Sequence, residues 1–236
     1  SSSSAASDVY KRQRSYERLF SIIHQQYADG LGKDRWGIQM KMVEKEADLI
    51  FTADPSAKII QVVRNPLDRV EESIRSSSRR RLSLGLETSL WRESSRYAQE
   101  NLENYPERYL VVKWEDLLAD VDHTLEQICS FLGEDYSPEM IQSEAIAEMG
   151  LDLVDQSTLG HRRLAIKNPP SWEPLKKTEK AYMLSNLHSQ MVYFGYTDKK
   201  IRMNFSEKLK YLSLHFPAYS LGGALKFFRG LLHKIK

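Results

Sequence analysis

Cysteine is almost absent from this sequence, which carries one, Cys129, among 236 residues. A disulfide framework within one chain is therefore excluded, and this leans towards a reducing compartment. Cys129 lies in an apolar helical pattern with Leu125, Ile128 and Leu132. That pattern favours burial of the thiol over a catalytic role.

Long apolar runs and a strong charge excess are also missing. No run approaches the roughly 20 apolar residues that a membrane-spanning helix requires. Lys and Arg total 34 against 32 acidic residues, a net charge of +2, which argues against a general nucleic-acid binder. The histidines do not share metal-ligand spacing with a second His, Cys or acidic cluster, so we predict no metal site. With 41% hydrophobic content, the chain is an ordinary globular protein.

One segment, residues 58–74, reads KIIQVVRNPLDRVEESI. Its β-branched run predicts a central strand buried on both faces of a parallel sheet, and Pro66 fits the first position of a following helix. Arg64 then lies at the carboxyl end of the strand beside a helix amino terminus, an arrangement that favours a phosphate or sulfate ligand. The alternative is that Arg64 only pairs with Asp68 in the first helical turn.

This segment resembles the 3′-phosphate-binding segment of sulfotransferases that use 3′-phosphoadenosine 5′-phosphosulfate (PAPS). Residues 108–133, RYLVVKWEDLLADVDHTLEQICSFLG, are similar to that family's strand, Tyr-Glu-Asp-Leu turn and helix ending in Phe-Leu-Gly. Residues 34–41 have the position and the Trp-Gly of a Trp-Gly-acidic-Lys-Thr-Pro element, and residues 172–196 resemble the closing helix with its Gly-Tyr. Together these segments run from 14 to 198 in the family's order.

The resemblance implies an α/β fold with a central parallel sheet flanked by helices, which is P-loop-like. The family's Ser-Gly-Thr-Thr loop, whose backbone N–H groups hold the 5′-phosphosulfate, occurs nowhere in this sequence. We therefore expect an incomplete sulfotransferase fold that lacks the first strand and the phosphosulfate loop. In this interpretation residues 14–198 form the partial sulfotransferase domain.

The two ends of the chain differ in composition from this domain. Residues 1–13 are rich in serine, and DVYKRQ resembles the translation of a common sequencing adapter, so we predict a disordered, artefactual leader. Residues 199–236 predict a basic amphipathic helical extension. Packing of this extension on the domain is favoured, and weak peripheral contact with a membrane surface is the alternative.

The resemblance also implies which residues bind the nucleotide. Arg64 would hold the 3′-phosphate. The family has a serine eight residues further on, where this chain has Glu72, so the neighbouring Ser73 is the favoured helper. Trp114 replaces a tyrosine near the adenosine, with core packing as its alternative role.

Further candidates lie outside these segments. The family often has a lysine three residues after its tryptophan, where this chain has Gln39; Lys41 is the catalytic candidate, with a solvated surface lysine as the alternative. Residues 151–175 show no clear periodicity and are expected to form a lid, in which Arg162, Arg163 and Lys167 contact the nucleotide or form a surface basic cluster. The general base is not identified.

The resemblance therefore implies a sulfotransferase that transfers a sulfuryl group from PAPS, without a metal, to a hydroxyl or amine of an unknown acceptor. This chain alone is expected to be inactive. The alternative is a non-catalytic sulfotransferase-like protein that binds a nucleotide or a partner. The compartment is unknown: the single cysteine slightly favours the cytoplasm, and Golgi-type anchoring stays open.

Overall fold

The structure, a computed structural model, describes residues 16–74, 80–141, 143–148, 151–156, 161–166, 175–196 and 205–210. The chain divides into two compact units, the first ending at Ala57 and the second beginning at Lys58. The sequence predicted one continuous domain across this boundary. The predicted leader, residues 1–13, and most of the predicted basic extension lie outside the described residues.

The first unit is helical. Helix α1, Tyr16–Gly30, agrees with the helical spacing of the apolar residues in this segment. The sequence of Asp34–Lys41 predicts a short strand, but residues 35–40 have no strand geometry, so this prediction was wrong. The sequence predicts one helix from about Met42 to Phe51, and the structure has a 3₁₀ turn, Val43–Glu46, followed by helix α2, Ala47–Ala53. Met42 has a left-handed backbone, with φ of 62°, so it lies outside the helical segment and precedes it.

The second unit is built on a parallel sheet. Strand β1, Ile59–Val63, pairs in parallel with β2, Tyr109–Lys113, and the register places Val63 beside Lys113. Helix α3, Pro66–Ile74, begins at the predicted proline, and α4, Arg80–Asn104, completes the crossover between the strands. The predicted α/β class is confirmed. In the described sheet, however, Val62 is 56% exposed. The sequence predicted burial of β1 on both faces, and the structure shows burial on one face only.

The main core joins β1 to α3, α4 and helix α8, Lys177–Tyr193. Its buried residues are Val63, Val70, Leu84, Trp91, Ala98, Leu175, Met183, Leu184, Leu187, Met191, Phe194 and Tyr196. The basic sequence of residues 76–86 predicts a flexible, solvated loop, but residues from Arg80 onward are helical, because Leu84 is fully buried in this core. Helix α8 begins later than the predicted Trp172, because the Lys176 backbone N–H donates to Glu179 Oε2 and starts the helix there.

A second apolar cluster is formed by residues that follow β2 in the chain. After β2 come α5, Trp114–Ala119, and α6, Val121–Leu132. The Ser-Pro pair at residues 137 and 138 predicts a helix from Ser137 to about Met149, but the structure has a 3₁₀ turn, Pro138–Met140, and a separate helix α7, Ser143–Glu148.

The segment predicted as a lid contains a β-hairpin. Strand β3, Leu151–Gln156, pairs antiparallel with β4, His161–Ile166. Leu151 and Leu164 are buried against Val121 of α6 and Ile146 of α7. The lack of clear periodicity therefore hid two regular strands, whose leucines belong to a core, and the lid role of this segment stays a prediction. The short helix α9, Phe205–Lys210, is the last described element.

Within the described residues, no helix combines the length and the apolar character that crossing a membrane requires. The same residues contain no cluster of three or more His, Cys, Asp or Glu side chains that could hold a metal ion.

Candidate functional site

The carboxyl ends of β1 and β2 bring two predicted site residues to one edge of the sheet. Val63 and Lys113 are register partners, so Arg64 and Trp114 are the next residues along the two chains. Arg64 is partly buried. In open parallel sheets, ligands bind at this edge.

The peptide group between Arg64 and Asn65 is held at both of its polar atoms. The indole Nε1 of Trp91 donates to the Arg64 carbonyl oxygen at 3.0 Å. The Asn65 backbone N–H donates to Oε1 of Glu115 at 2.7 Å. Trp91 is 2% exposed and lies on α4, whereas Glu115 lies on α5. Two helices therefore fix the plane of one peptide.

Glu115 is itself held from the opposite side. Its second oxygen, Oε2, accepts a hydrogen bond from the Tyr196 hydroxyl at 2.9 Å. Tyr196 is 7% exposed and follows the end of α8. Burial, and then the hydrogen bond to Glu115, raise the pKa of this phenol above its ordinary value, so it stays a neutral donor. The carboxylate of Glu115 thereby connects three parts of the chain, at residues 65, 115 and 196.

The start of α3 has few backbone donors to offer a ligand. The Asn65 N–H is bonded to Glu115, Pro66 has no N–H, and the Leu67 N–H donates to Oδ1 of Asn65 at 3.0 Å. Asn65 thus acts as the side-chain cap of this helix. An anion at this helix start would depend on side chains more than on the backbone groups of residues 65–67.

The charges around this edge are mixed. The Lys113 ammonium lies 3.8 Å from Oδ1 of Asp116 and 5.5 Å from the centre of the Tyr196 ring. The carboxylates of Glu115, Asp116 and Asp68 all contribute to the raised pKa of the Tyr196 phenol. These carboxylates would repel a phosphate group bound nearby. A phosphate at this edge therefore requires a cation in a well-defined position.

The other predicted residues are distributed elsewhere. Trp114 packs against the second apolar cluster with Leu117 and Leu118, which agrees with its alternative role as a core residue. Ser73 lies in the last turn of α3. Lys41 is an exposed residue of a turn in the first unit, and Gln39 is exposed as well. Lys167 lies outside the described residues.

Arg162 is engaged in an ion pair with Asp122 of α6. Its Nε donates to both carboxylate oxygens at 3.0 Å, its Nη2 also donates to Oδ1, and its backbone N–H donates to Oδ2 at 3.1 Å. The same Nη2 donates to the Tyr136 hydroxyl at 3.0 Å. This arrangement attaches the hairpin to α6. Its neighbour Arg163 is exposed, opposite Val154 in the hairpin register.

Sequence reasoning missed the residues that hold the Arg64–Asn65 peptide. Glu115 was noticed only as part of the Trp-Glu-Asp-Leu turn, and Tyr196 only as the end of a Gly-Tyr pair. One feature of the sequence could have indicated Glu115: it follows a buried parallel strand, and polar side chains at that position lie near the turn after the neighbouring strand. No spacing rule connects Glu115 with Tyr196, which is 81 residues away.

Comparisons with known proteins agree with the resemblance. A family model described as "Sulfotransferase family" matches residues 2–138, more than half of the chain. The matched range includes residues 2–13, which the sequence alone assigned to an artificial leader. No curated protein matches this chain.

Two solved structures are similar to it. The sulfotransferase domain from the Synechococcus PCC 7002 olefin synthase has 21% identity and a TM-score of 0.49, covering 74% of this chain. The sulfotransferase domain from the curacin biosynthetic pathway has 18% identity and a TM-score of 0.49, covering 78% of this chain. This chain spans 63% of the length of the first domain and 69% of the second.

Proposed function

Because this chain belongs to the sulfotransferase family, we propose that it carries the nucleotide-binding part of a sulfotransferase that uses PAPS as its donor. The observation that carries this proposal is the β1–turn–α3 segment, which lies within the matched residues. Its Arg64 follows the strand at the sheet edge where ligands of parallel sheets bind. We propose that Arg64 binds the 3′-phosphate of the nucleotide, since a planar guanidinium suits bidentate contacts with phosphate.

The reaction proposed for the complete site is in-line transfer of a sulfuryl group. The bond between the sulfur and the phosphate oxygen of PAPS breaks, and a bond forms between the sulfur and an acceptor oxygen or nitrogen. The acceptor loses a proton to a base, and adenosine 3′,5′-bisphosphate leaves with the bridging oxygen. The acceptor's chemical class stays open, and no metal is part of this proposal.

Nucleotide binding by the purified chain tests the proposal directly. Calorimetry would compare adenosine 3′,5′-bisphosphate with adenosine 5′-phosphate, which lacks only the 3′-phosphate. We expect the bisphosphate to bind more tightly, and Arg64→Ala to weaken it by roughly 10- to 100-fold, because a hydrogen-bonded charge contributes about 1.5–3 kcal/mol. Arg64→Ala should change binding of the monophosphate by less than twofold.

Arg96→Ala is the matched control. Arg96 carries the same charge but pairs with Glu100 on α4, and both side chains are about half exposed. This variant should bind both nucleotides as the unmodified chain does. Equal affinity of the unmodified chain for the two nucleotides would contradict the proposal. So would a loss of bisphosphate affinity in Arg96→Ala as large as that in Arg64→Ala. The first result would leave a role in binding a protein partner, without catalysis, as the remaining interpretation.

A further inference from the structure

The hydrogen bonds of the Arg64–Asn65 peptide affect the orientation of the Arg64 side chain. A peptide unit is planar, and its plane contains the Cα atoms of both residues. Trp91 bonds its oxygen and Glu115 bonds its N–H, at 3.0 and 2.7 Å. These two bonds, together with the pairing of β1 with β2 just before the peptide, fix its plane.

We infer that Glu115, held by Tyr196, is a positioning residue that sets the direction in which the Arg64 side chain leaves the backbone. This inference rests on the proposed function, because it concerns how well Arg64 meets the 3′-phosphate. Glu115 does not itself contact the nucleotide. Its carboxylate acts through the Asn65 N–H, and the Tyr196 hydroxyl keeps the carboxylate turned towards that N–H.

The surroundings explain why a carboxylate is used. The Asn65 N–H lies in a partly buried turn, where an unpaired donor would be costly, and a charged acceptor makes a stronger bond than a neutral one. Asp116 and Asp68 also contribute to the raised pKa of the Tyr196 phenol, which keeps that phenol protonated as a donor to Glu115. The bond from the Tyr196 hydroxyl holds the second carboxylate oxygen of Glu115, so the first oxygen stays directed at the Asn65 N–H.

Three variants separate positioning from general structure. Glu115→Ala removes both hydrogen bonds. Glu115→Gln keeps one acceptor oxygen and should restore part of the function. Tyr196→Phe removes only the hydroxyl and keeps the ring in the core. Tyr193→Phe is the matched control, since Tyr193 lies at the same end of α8 and is 49% exposed.

The first measurement is amide hydrogen exchange at Asn65, by NMR on the full chain without nucleotide. We expect exchange to be at least tenfold faster in Glu115→Ala, with smaller increases in Glu115→Gln and Tyr196→Phe and none in Tyr193→Phe. Unchanged exchange at Asn65 in Glu115→Ala would overturn the inference. If Glu115→Ala does not fold, the same criterion applies to Tyr196→Phe.

The second measurement is the ratio of affinities for adenosine 3′,5′-bisphosphate and adenosine 5′-phosphate. We expect Tyr196→Phe to reduce this ratio about three- to tenfold by weakening only the bisphosphate. An equal loss for both nucleotides would indicate a purely structural role and overturn the inference. If the unmodified chain shows no preference between the nucleotides, the proposed function fails, and hydrogen exchange alone then decides whether Glu115 positions the turn.

Discussion

Arg162 and Asp122 illustrate how a single pair of side chains can decide the role of a candidate residue. The sequence placed Arg162 in a basic cluster that either binds phosphate or covers the surface. The structure places its guanidinium on the carboxylate of Asp122, 40 residues earlier in the chain. Hydrogen bonds from Arg162 lower the pKa of Asp122 from 3.8 to about 2. Residue spacing cannot predict such a pair, because the hairpin that brings it together is a tertiary feature.

This pair predicts a pH dependence of stability. The folded pKa of Asp122 lies below its unfolded value of 3.8. The pair therefore stabilises the fold fully above about pH 4, and this contribution is lost as pH falls towards 2. Asp122→Asn should lower the free energy of unfolding by about 2 kcal/mol at neutral pH, the equivalent of the shift.

Urea unfolding at pH 7, 4 and 2.5 would measure this effect. The difference between Asp122→Asn and the unmodified chain should shrink as the pH falls through this range. Asp135→Asn, a change at an exposed carboxylate, serves as the control and should follow the unmodified chain. A constant difference at all three pH values would show that Asp122 does not act through its charge.

At the scale of elements, the sequence predicted best where one signal was both local and strong. Pro66 begins α3 as predicted, because a proline both suits the first helical position and constrains the residue before it. The hairpin was missed, although Leu151 and Leu153 alternate with polar Asp152 and a Ser-Thr-Leu-Gly sequence separates the strands. The basic residues of β4 obscured that alternation. The strand predicted at Asp34–Lys41 does not form, because a local preference for extended backbone is not enough without a neighbouring strand to pair with.

Two helices end in the same way but have different neighbours. Gly133 follows α6 with φ of 78°, and Gly195 follows α8 with φ of 73°. In each case the next residue's N–H bonds back over the last turn, from Glu134 to Cys129 and from Tyr196 to Met191. Alanine in either left-handed position should cost about 1–2 kcal/mol in free energy of unfolding.

Only one of these two alanine substitutions should affect nucleotide binding. Gly195 directly precedes Tyr196, so Gly195→Ala should also reduce the preference for adenosine 3′,5′-bisphosphate, whereas Gly133→Ala should leave it unchanged. Thermal unfolding and calorimetry on both variants would measure the two effects. Equal nucleotide preference in two equally destabilised variants would argue against a role for the α8 end in binding.

At the scale of the whole molecule, the α/β class and the family followed from the sequence, but the arrangement of candidates did not. The motifs correctly indicated a parallel sheet, because few other folds accommodate continuous β-branched runs that are separated by helical segments. They did not indicate two compact units meeting at residues 57 and 58. Lys41 belongs to the first unit and Arg64 to the second, so their joint action stays a prediction from the resemblance.

The absence of a Ser-Gly-Thr-Thr-like loop in these 236 residues leads to a prediction about activity. We expect the purified chain to bind nucleotide without transferring a sulfuryl group, because the backbone donors for the 5′-phosphosulfate are missing from its sequence. Release of adenosine 3′,5′-bisphosphate from PAPS, with and without mixed acceptors, would be measured. Turnover that disappears in Arg64→Ala would refute this expectation, and turnover that persists in that variant would indicate a contaminating enzyme.

The doubly bonded Arg64–Asn65 peptide also has a thermodynamic consequence for ligand capture. Ordering the backbone of one residue costs roughly 1–2 kcal/mol in lost entropy. Here Trp91 and Glu115 impose that order through hydrogen bonds within the fold, and rotation of the peptide would break both bonds at once. If Arg64 binds the 3′-phosphate as proposed, the backbone of this turn is ordered before the phosphate arrives, so we expect the rate of binding to depend mainly on diffusion and on the motion of the Arg64 side chain.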